Sequence, residues 1–182
     1  MQNKRNIVVA CITFIFMVIF SSTTLAATAI TNSTLDQVKA LKDKGDTLYA
    51  SGKYNESISY YDKALAINPN DLGALNGKGL ALLFAGKKND SITHFDKVLS
   101  INPKDVSALT SKGLALGRLG KYNESISYYD KALAINPNYR VAIKEKEYFV
   151  ALAAHKASST KTNATNANAN STKTNSNSTK KH

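Results

Sequence analysis

The chain has 182 residues, a formal charge of +11 from 24 Lys and Arg against 13 Asp and Glu, and a single cysteine, Cys11. One thiol excludes an intramolecular disulfide and a cysteine-based zinc site, so the fold must hold by packing alone. The basic balance invites a nucleic-acid reading, but the lysines are interspersed with acids and no stacking platform or base-reading motif accompanies them, so nucleic acid is not an expected partner.

Taken in chain order, residues 1–29 read as a signal peptide. Lys4 and Arg5 precede an apolar run from Ile7 to Phe20, broken only by Thr13, and small residues follow. As a helix that run spans about 21 Å, short of the roughly 30 Å hydrocarbon layer of a bilayer. Cleavage is expected between Ala26 and Ala29; the alternative is an uncleaved anchor that uses Ser21 to Ala29 to complete the span. Either way the remainder is expected to be secreted or held at the cell envelope, outside the cytoplasm, touching a membrane only through this segment. Residues 30–37 form a polar lead-in.

From there a repeat governs the chain. KYNESISYYDKALAINPN runs from Lys53 to Asn70 and recurs unchanged from Lys121 to Asn138, with the weaker copy KKNDSITHFDKVLSINPK from Lys87 to Lys104 between them. The period is 34 residues, kept by Pro69, Pro103 and Pro137, by Gly45, Gly79 and Gly113, and by Gly52, Gly86 and Gly120. It divides the chain into units 38–71, 72–105 and 106–139. Leu75, Gly79 and Leu82 mark one helical face, and Tyr54, Ile58, Tyr61 and Leu65 another, so each unit is a helix, a tight turn and a helix. Gly52, Gly86 and Gly120 end the first helix in the left-handed conformation, and Asn55, Asn89 and Asn123 are expected to cap the second. The prolines stop the second helix, and Asp71 and Asp105 are placed to cap the next. Residues 140–156 are expected to form a capping helix that turns Val141, Tyr148 and Leu152 inward and keeps Lys144, Glu145, Lys146 and Glu147 wet. Residues 157–182, rich in Asn, Ser, Thr and Lys, have no large apolar residue and are expected to be disordered. The predicted class is all-α: an α-solenoid of three helix-turn-helix units plus a C-terminal capping helix, stable because stacked units bury what one unit alone exposes.

From Val38 to His155 this pattern resembles the tetratricopeptide repeat family. The first helices supply Leu41, Gly45 and Leu48 and their 34-residue equivalents; the second supply Ser57, Tyr61, Ala64 and Pro69 and theirs. Leucine stands for the family's aromatics in the first helix, and serine for its usual alanine in the second. The resemblance implies a concave groove lined by the first helices: Lys39, Lys42, Asp46 and Tyr49, then Asn76, Leu80, Leu83 and Phe84, then Thr110, Leu114, Gly117 and Arg118. It further implies a non-catalytic adaptor or scaffold that binds a peptide or helix of another protein. A family mode clamps a chaperone's terminal carboxylate with two lysines, two asparagines and an arginine. Here Lys42 matches, whereas Asp46, Gly77, Ser107 and Ser111 occupy the other places, which argues against the clamp. Leu80, Leu83, Phe84 and Leu114 offer instead an apolar seat for a peptide or helix; the competing readings are that they pack within the array or mediate self-association.

Asn-x-Ser/Thr triplets begin at Asn32, Asn55, Asn89, Asn123, Asn163, Asn170 and Asn177. The three inside the repeats read as caps; Asn32 and the three in the tail are candidate N-glycosylation sites. An alternative function follows from them: a structural cell-surface glycoprotein in which the array is a spacer and the tail a glycosylated tether. His94, His155 and His182 are too scattered for a metal site or a nucleophile-base pair, and Asp62, Asp96 and Asp130 recur because the repeat recurs. No phosphate-cradling loop is present, so no catalytic residue, metal or cofactor is expected.

Overall fold

The computed structural model describes the backbone of residues 33–176 and side chains as far as residue 159. The predicted signal segment, Asn32 and Asn177 lie outside the described residues. Every regular element among those described is a helix: α1 (33–50), α2 (Tyr54–Ile67), α3 (Leu72–Phe84), α4 (Lys88–Ile101), α5 (Val106–Arg118), α6 (Tyr122–Ile135) and α7 (Arg140–Ser176). The polar lead-in is therefore helical from residue 33 onward. The described residues divide between residues 74 and 75 into two compact units, each described by itself below.

Three turns share one design. Gly52, Gly86 and Gly120 have φ of 75°, 88° and 82°, a region that costs glycine little. Gly52 N–H donates to Tyr49 O at 3.0 Å and Lys53 N–H to Leu48 O at 2.9 Å, and Lys87 and Lys121 repeat the second bond to Leu82 and Leu116. This pair of bonds is the Schellman closure of a helix C-terminus. The same Lys53 carbonyl then accepts from Ser57 N–H at 2.9 Å, so one residue both ends α1 and starts α2. The N-cap positions are consequently Lys53, Lys87 and Lys121, none with a side-chain cap bond. The expectation that Asn55, Asn89 and Asn123 cap these helices is corrected: each lies inside the first turn and is exposed. The aspartate caps do form, with Ala74 N–H donating to Asp71 at 2.7 Å and Ala108 N–H to Asp105 at 2.8 Å. Before each proline, Asn68, Asn102 and Asn136 are extended, as a following proline requires.

In the first unit, a Cβ added at Gly45 would sit 2.8 Å from Tyr61 Cε1, so the missing side chain admits the aromatic ring. Ser57 Oγ donates to Gly45 O at 2.8 Å. The second unit repeats the contact, Gly79 against Phe95 and Gly113 against Tyr129, and Ser125 Oγ donates to Gly113 O at 2.7 Å. At these two positions serine in place of the more common alanine seats a hydroxyl on the glycine carbonyl, whereas Ser91 donates to Lys88 O at 2.6 Å, so none of the three buried hydroxyls is left unpaired.

The 34-residue register continues into α7. Ala142 and Lys146 stand where α5 has Ala108 and Lys112. Lys112 pairs with Asp96, and Lys146 Nζ lies 2.6 Å from Asp130. The helix α7 packs on α6 as α5 packs on α4, so it is the first helix of a fourth unit whose second helix is absent among the described residues. Glu147 replaces the glycine of Gly113 and is exposed, because no aromatic presses on it. The expected inward stripe is corrected at two of its three positions: Val141 and Tyr148 are 51% and 59% exposed, whereas Ala142 and Phe149 enter the core with Leu109, Tyr129 and Ala132, and Leu152 packs against that core as expected. Nor does α7 end at residue 156. It runs to Ser176, across much of the segment whose composition predicts disorder, and no glycine or proline after Pro137 interrupts it. No helix of the described residues is long and apolar enough to cross a membrane.

Candidate partner-binding groove

In the second unit, α3, α5 and α7 bring the middle of the predicted groove together. Leu83 is 2% exposed and forms a core cluster with Phe95 and Ala115. It is therefore a packing residue, and its place in a contact surface is corrected. Leu80, Phe84 and Leu114 are half-buried against that cluster and keep part of their surface open. The Arg118 guanidinium lies 4.2 Å from the centroid of the Phe84 ring, a geometry in which the ring's quadrupole holds the cation and leaves its edge donors free. Asn76 Nδ2 donates to Ser107 Oγ at 3.1 Å, while Asn76 Oδ1 is buried without a partner among the described residues. Thr110 is buried and donates to Val106 O, so it offers no contact.

The open part of the groove is a cleft of about 650 Å³ between α5 and α7, lined by Leu114, Gly117, Arg118, Tyr122, Glu145, Tyr148, Phe149 and Leu152. Gly117 forms its floor: a Cβ there would come within 2.3 Å of Phe149 Cζ. Tyr122 and Tyr129 stack on Phe149 with centroids 6.1 Å away, and Tyr148 meets the same ring edge-on at 5.1 Å. Charge of both signs lines the cleft, Arg118 on α5 and Glu145 on α7. Burial pushes the nearby Tyr129 hydroxyl pKa well above its ordinary value; the Glu145 charge adds to the rise and the Arg118 charge opposes it.

Of these lining residues, Glu145, Tyr148, Phe149, Leu152 and Tyr122 were not anticipated as groove residues. The signal existed in the register: adding 34 to Ser111, Leu114 and Arg118 gives Glu145, Tyr148 and Leu152.

Three of the four groove residues predicted for the first unit are engaged by other side chains of that unit. Lys42 Nζ lies 3.5 Å from Asp71 Oδ1. Asp46 accepts from Tyr61 Oη at 2.6 Å. The ring of Tyr49 lies 5.6 Å from that of Tyr54, and Lys39 is exposed. Among the described residues no group of three or more His, Cys, Asp or Glu is placed to hold a metal.

A helical repeat array with a cleft between consecutive first helices is an architecture of interaction modules. The tetratricopeptide repeat models match residues 38–71, 72–105 and 106–139. The chain belongs to the tetratricopeptide repeat family. Among solved structures, the first tetratricopeptide domain of human RPAP3 is 24% identical with a TM-score of 0.63, over 68% of this chain and 97% of that one. The Arabidopsis OM64 domain is 21% identical with a TM-score of 0.60, over 64% and 96%. The first repeat domain of Spaghetti (RPAP3), bound to the HSP90 peptide SRMEEVD, is 24% identical with a TM-score of 0.60, over 65% and 94%. At these identities the likeness is one of fold. No curated protein matches the chain.

Proposed function

We propose that this chain is a non-catalytic adaptor that holds a peptide or helix of a partner protein in the cleft between α5 and α7. The observation that carries the reading is the cleft itself: an aromatic and aliphatic wall, a glycine floor, and Arg118 and Glu145 able to meet polar groups of a bound segment. A related fold is described as bound to an acidic chaperone peptide, but this chain keeps one of five clamp residues, and that one, Lys42, faces Asp71. The partner segment should therefore be anchored mainly by apolar side chains.

The setting we propose is extracytoplasmic, on the strength of the basic start, the short apolar run and the small residues that follow it. A second reading, a surface glycoprotein with the array as spacer, is favoured by the acceptor triplets at Asn163, Asn170 and Asn177. Photo-crosslinking from position 148 on intact cells tests the first. A discrete crosslinked partner, lost when Arg118→Ala and Leu114→Ala are combined in a chain with unchanged Tm, supports the adaptor. Crosslinking unaltered by that pair, or none at all with the phenotype lost on deletion of residues 157–182, would replace it with the spacer.

A further inference from the structure

We infer that the face of α1 formed by Gln37, Ala40, Leu41 and Lys44 is a second docking site, and that it takes an amphipathic helix of another protein patterned as Asp-x-(Ala or Val)-Leu. These four positions follow the i, i+3, i+4, i+7 spacing of one helical face. Their equivalents in the later units are covered. Ala74, Ala108 and Ala142 are completely buried, and Leu75 and Leu109 nearly so, whereas Ala40 is exposed and Leu41 half-buried.

The second unit contains two examples of what covers such a face. The helix α5 rests on α4, and α7 on α6. In each pair the preceding second helix supplies an aspartate to the lysine one turn after the alanine: Asp96 to Lys112, and Asp130 to Lys146. Each also supplies a small apolar residue and a leucine, Val98 and Leu99 or Ala132 and Leu133, and both leucines pack against the core cluster that contains Leu109 and Ala142. In α1 the corresponding lysine is Lys44, exposed and with no carboxylate partner among the described residues. The face also opens a cavity of about 380 Å³ lined by Gln37, Ala40, Leu41 and Ile67, and Ile67 is 40% exposed. An apolar trough beside an unsatisfied cation is thus the half of a contact that this chain makes twice elsewhere.

A second copy of the chain does not supply the other half. Its α4 and α6 already spend their aspartates on Lys112 and Lys146, and Asp62 of α2 is engaged as well. The occupant is therefore a helix from a different protein. The site shares no residue with the α5–α7 cleft, so either proposal stands if the other fails.

The test titrates the full-length chain with a synthetic peptide of its own Tyr122 to Asn138 sequence, followed by amide shifts in α1 so that weak binding registers. Saturable shifts confined to α1 are expected, weakened about threefold by Lys44→Glu, as an exposed ion pair implies. They should be restored when the peptide carries Asp130→Lys, and unchanged by Tyr148→Ala, which reports the cleft. Absence of saturable binding, or indifference to Lys44→Glu, overturns the proposal. So does binding that appears only after residues 1–32 are removed, which would make the chain's own N-terminal segment the occupant, or a Lys44-dependent dimer without peptide, which would make it a second copy.

Discussion

The Tyr61 hydroxyl donates to Asp46 Oδ1 at 2.6 Å, whereas Tyr129, in an identical eighteen-residue stretch, has a buried hydroxyl with no partner among the described residues. The difference lies in the facing helix, where Leu114 occupies the place of Asp46. The middle unit avoids the question with Phe95. Tyr61→Phe should therefore destabilise the fold by about 1 to 2 kcal/mol, because it removes a hydrogen bond to a carboxylate. Tyr129→Phe should stabilise it by about 1 kcal/mol, because it removes an unpaired buried donor. Urea unfolding midpoints of the two variants should move in opposite directions.

The same two phenols set an alkaline limit. Burial raises the pKa of both, and for Tyr61 the bond to Asp46 raises it further. A phenol that ionises at about 10 in the unfolded chain and higher in the folded one leaves the unfolded state with fewer bound protons above that pH. Stability from these groups is complete below about pH 10 and falls as pH rises beyond it. The double variant Tyr61→Phe, Tyr129→Phe should flatten the decline of Tm between about pH 10 and 12.

The acceptor triplets inside the repeats should separate into an inert half and a structural half. Asn123 is exposed and caps nothing, so Asn123→Gln should change stability by less than about 0.5 kcal/mol. Ser125 is buried and donates to Gly113 O at 2.7 Å, and Ser125→Ala should cost about 1 to 2 kcal/mol. A loss on Asn123→Gln comparable to a missing helix cap, about 1 kcal/mol, would contradict the turn geometry.

Two neighbouring glycines should fail for different reasons. At Gly117 an added Cβ meets Phe149 Cζ at 2.3 Å, so Gly117→Ala should push α7 from α5, deform the cleft and cost about 1 to 3 kcal/mol. At Gly120 nothing lies within 4 Å but φ is +82°, so Gly120→Ala should cost about 1 to 2 kcal/mol in backbone strain alone. Amide shifts of Tyr148 and Leu152 should move in the first variant and stay in place in the second.

The repeat period fixed the number and order of helices because glycine and proline act locally: Gly52 must be left-handed where the chain closes a helix, and Asn68 must be extended before Pro69. The inward glycine-aromatic pairs were equally legible, since they recur at constant spacing. The Asn caps are not legible in the sequence because a side chain that can cap looks the same whether or not the backbone leaves it a terminus to cap. A local apolar stripe points Tyr148 inward, whereas the 34-residue register, which aligns Phe149 with the buried Ala115, selects Phe149.

By itself, the sequence determined the family, the seven helical segments in outline and the glycine and aromatic positions that let them approach. All of these rest on short-range backbone preference and on a periodicity that needs no partner. Only the tertiary structure decided that Leu83 is core and Tyr148 surface and that, among the described residues, Tyr129 lacks the acceptor Tyr61 has and Lys44 the aspartate given to Lys112 and Lys146. Those are properties of what lies across from a residue, and identical stretches of chain acquire different surroundings when different helices face them.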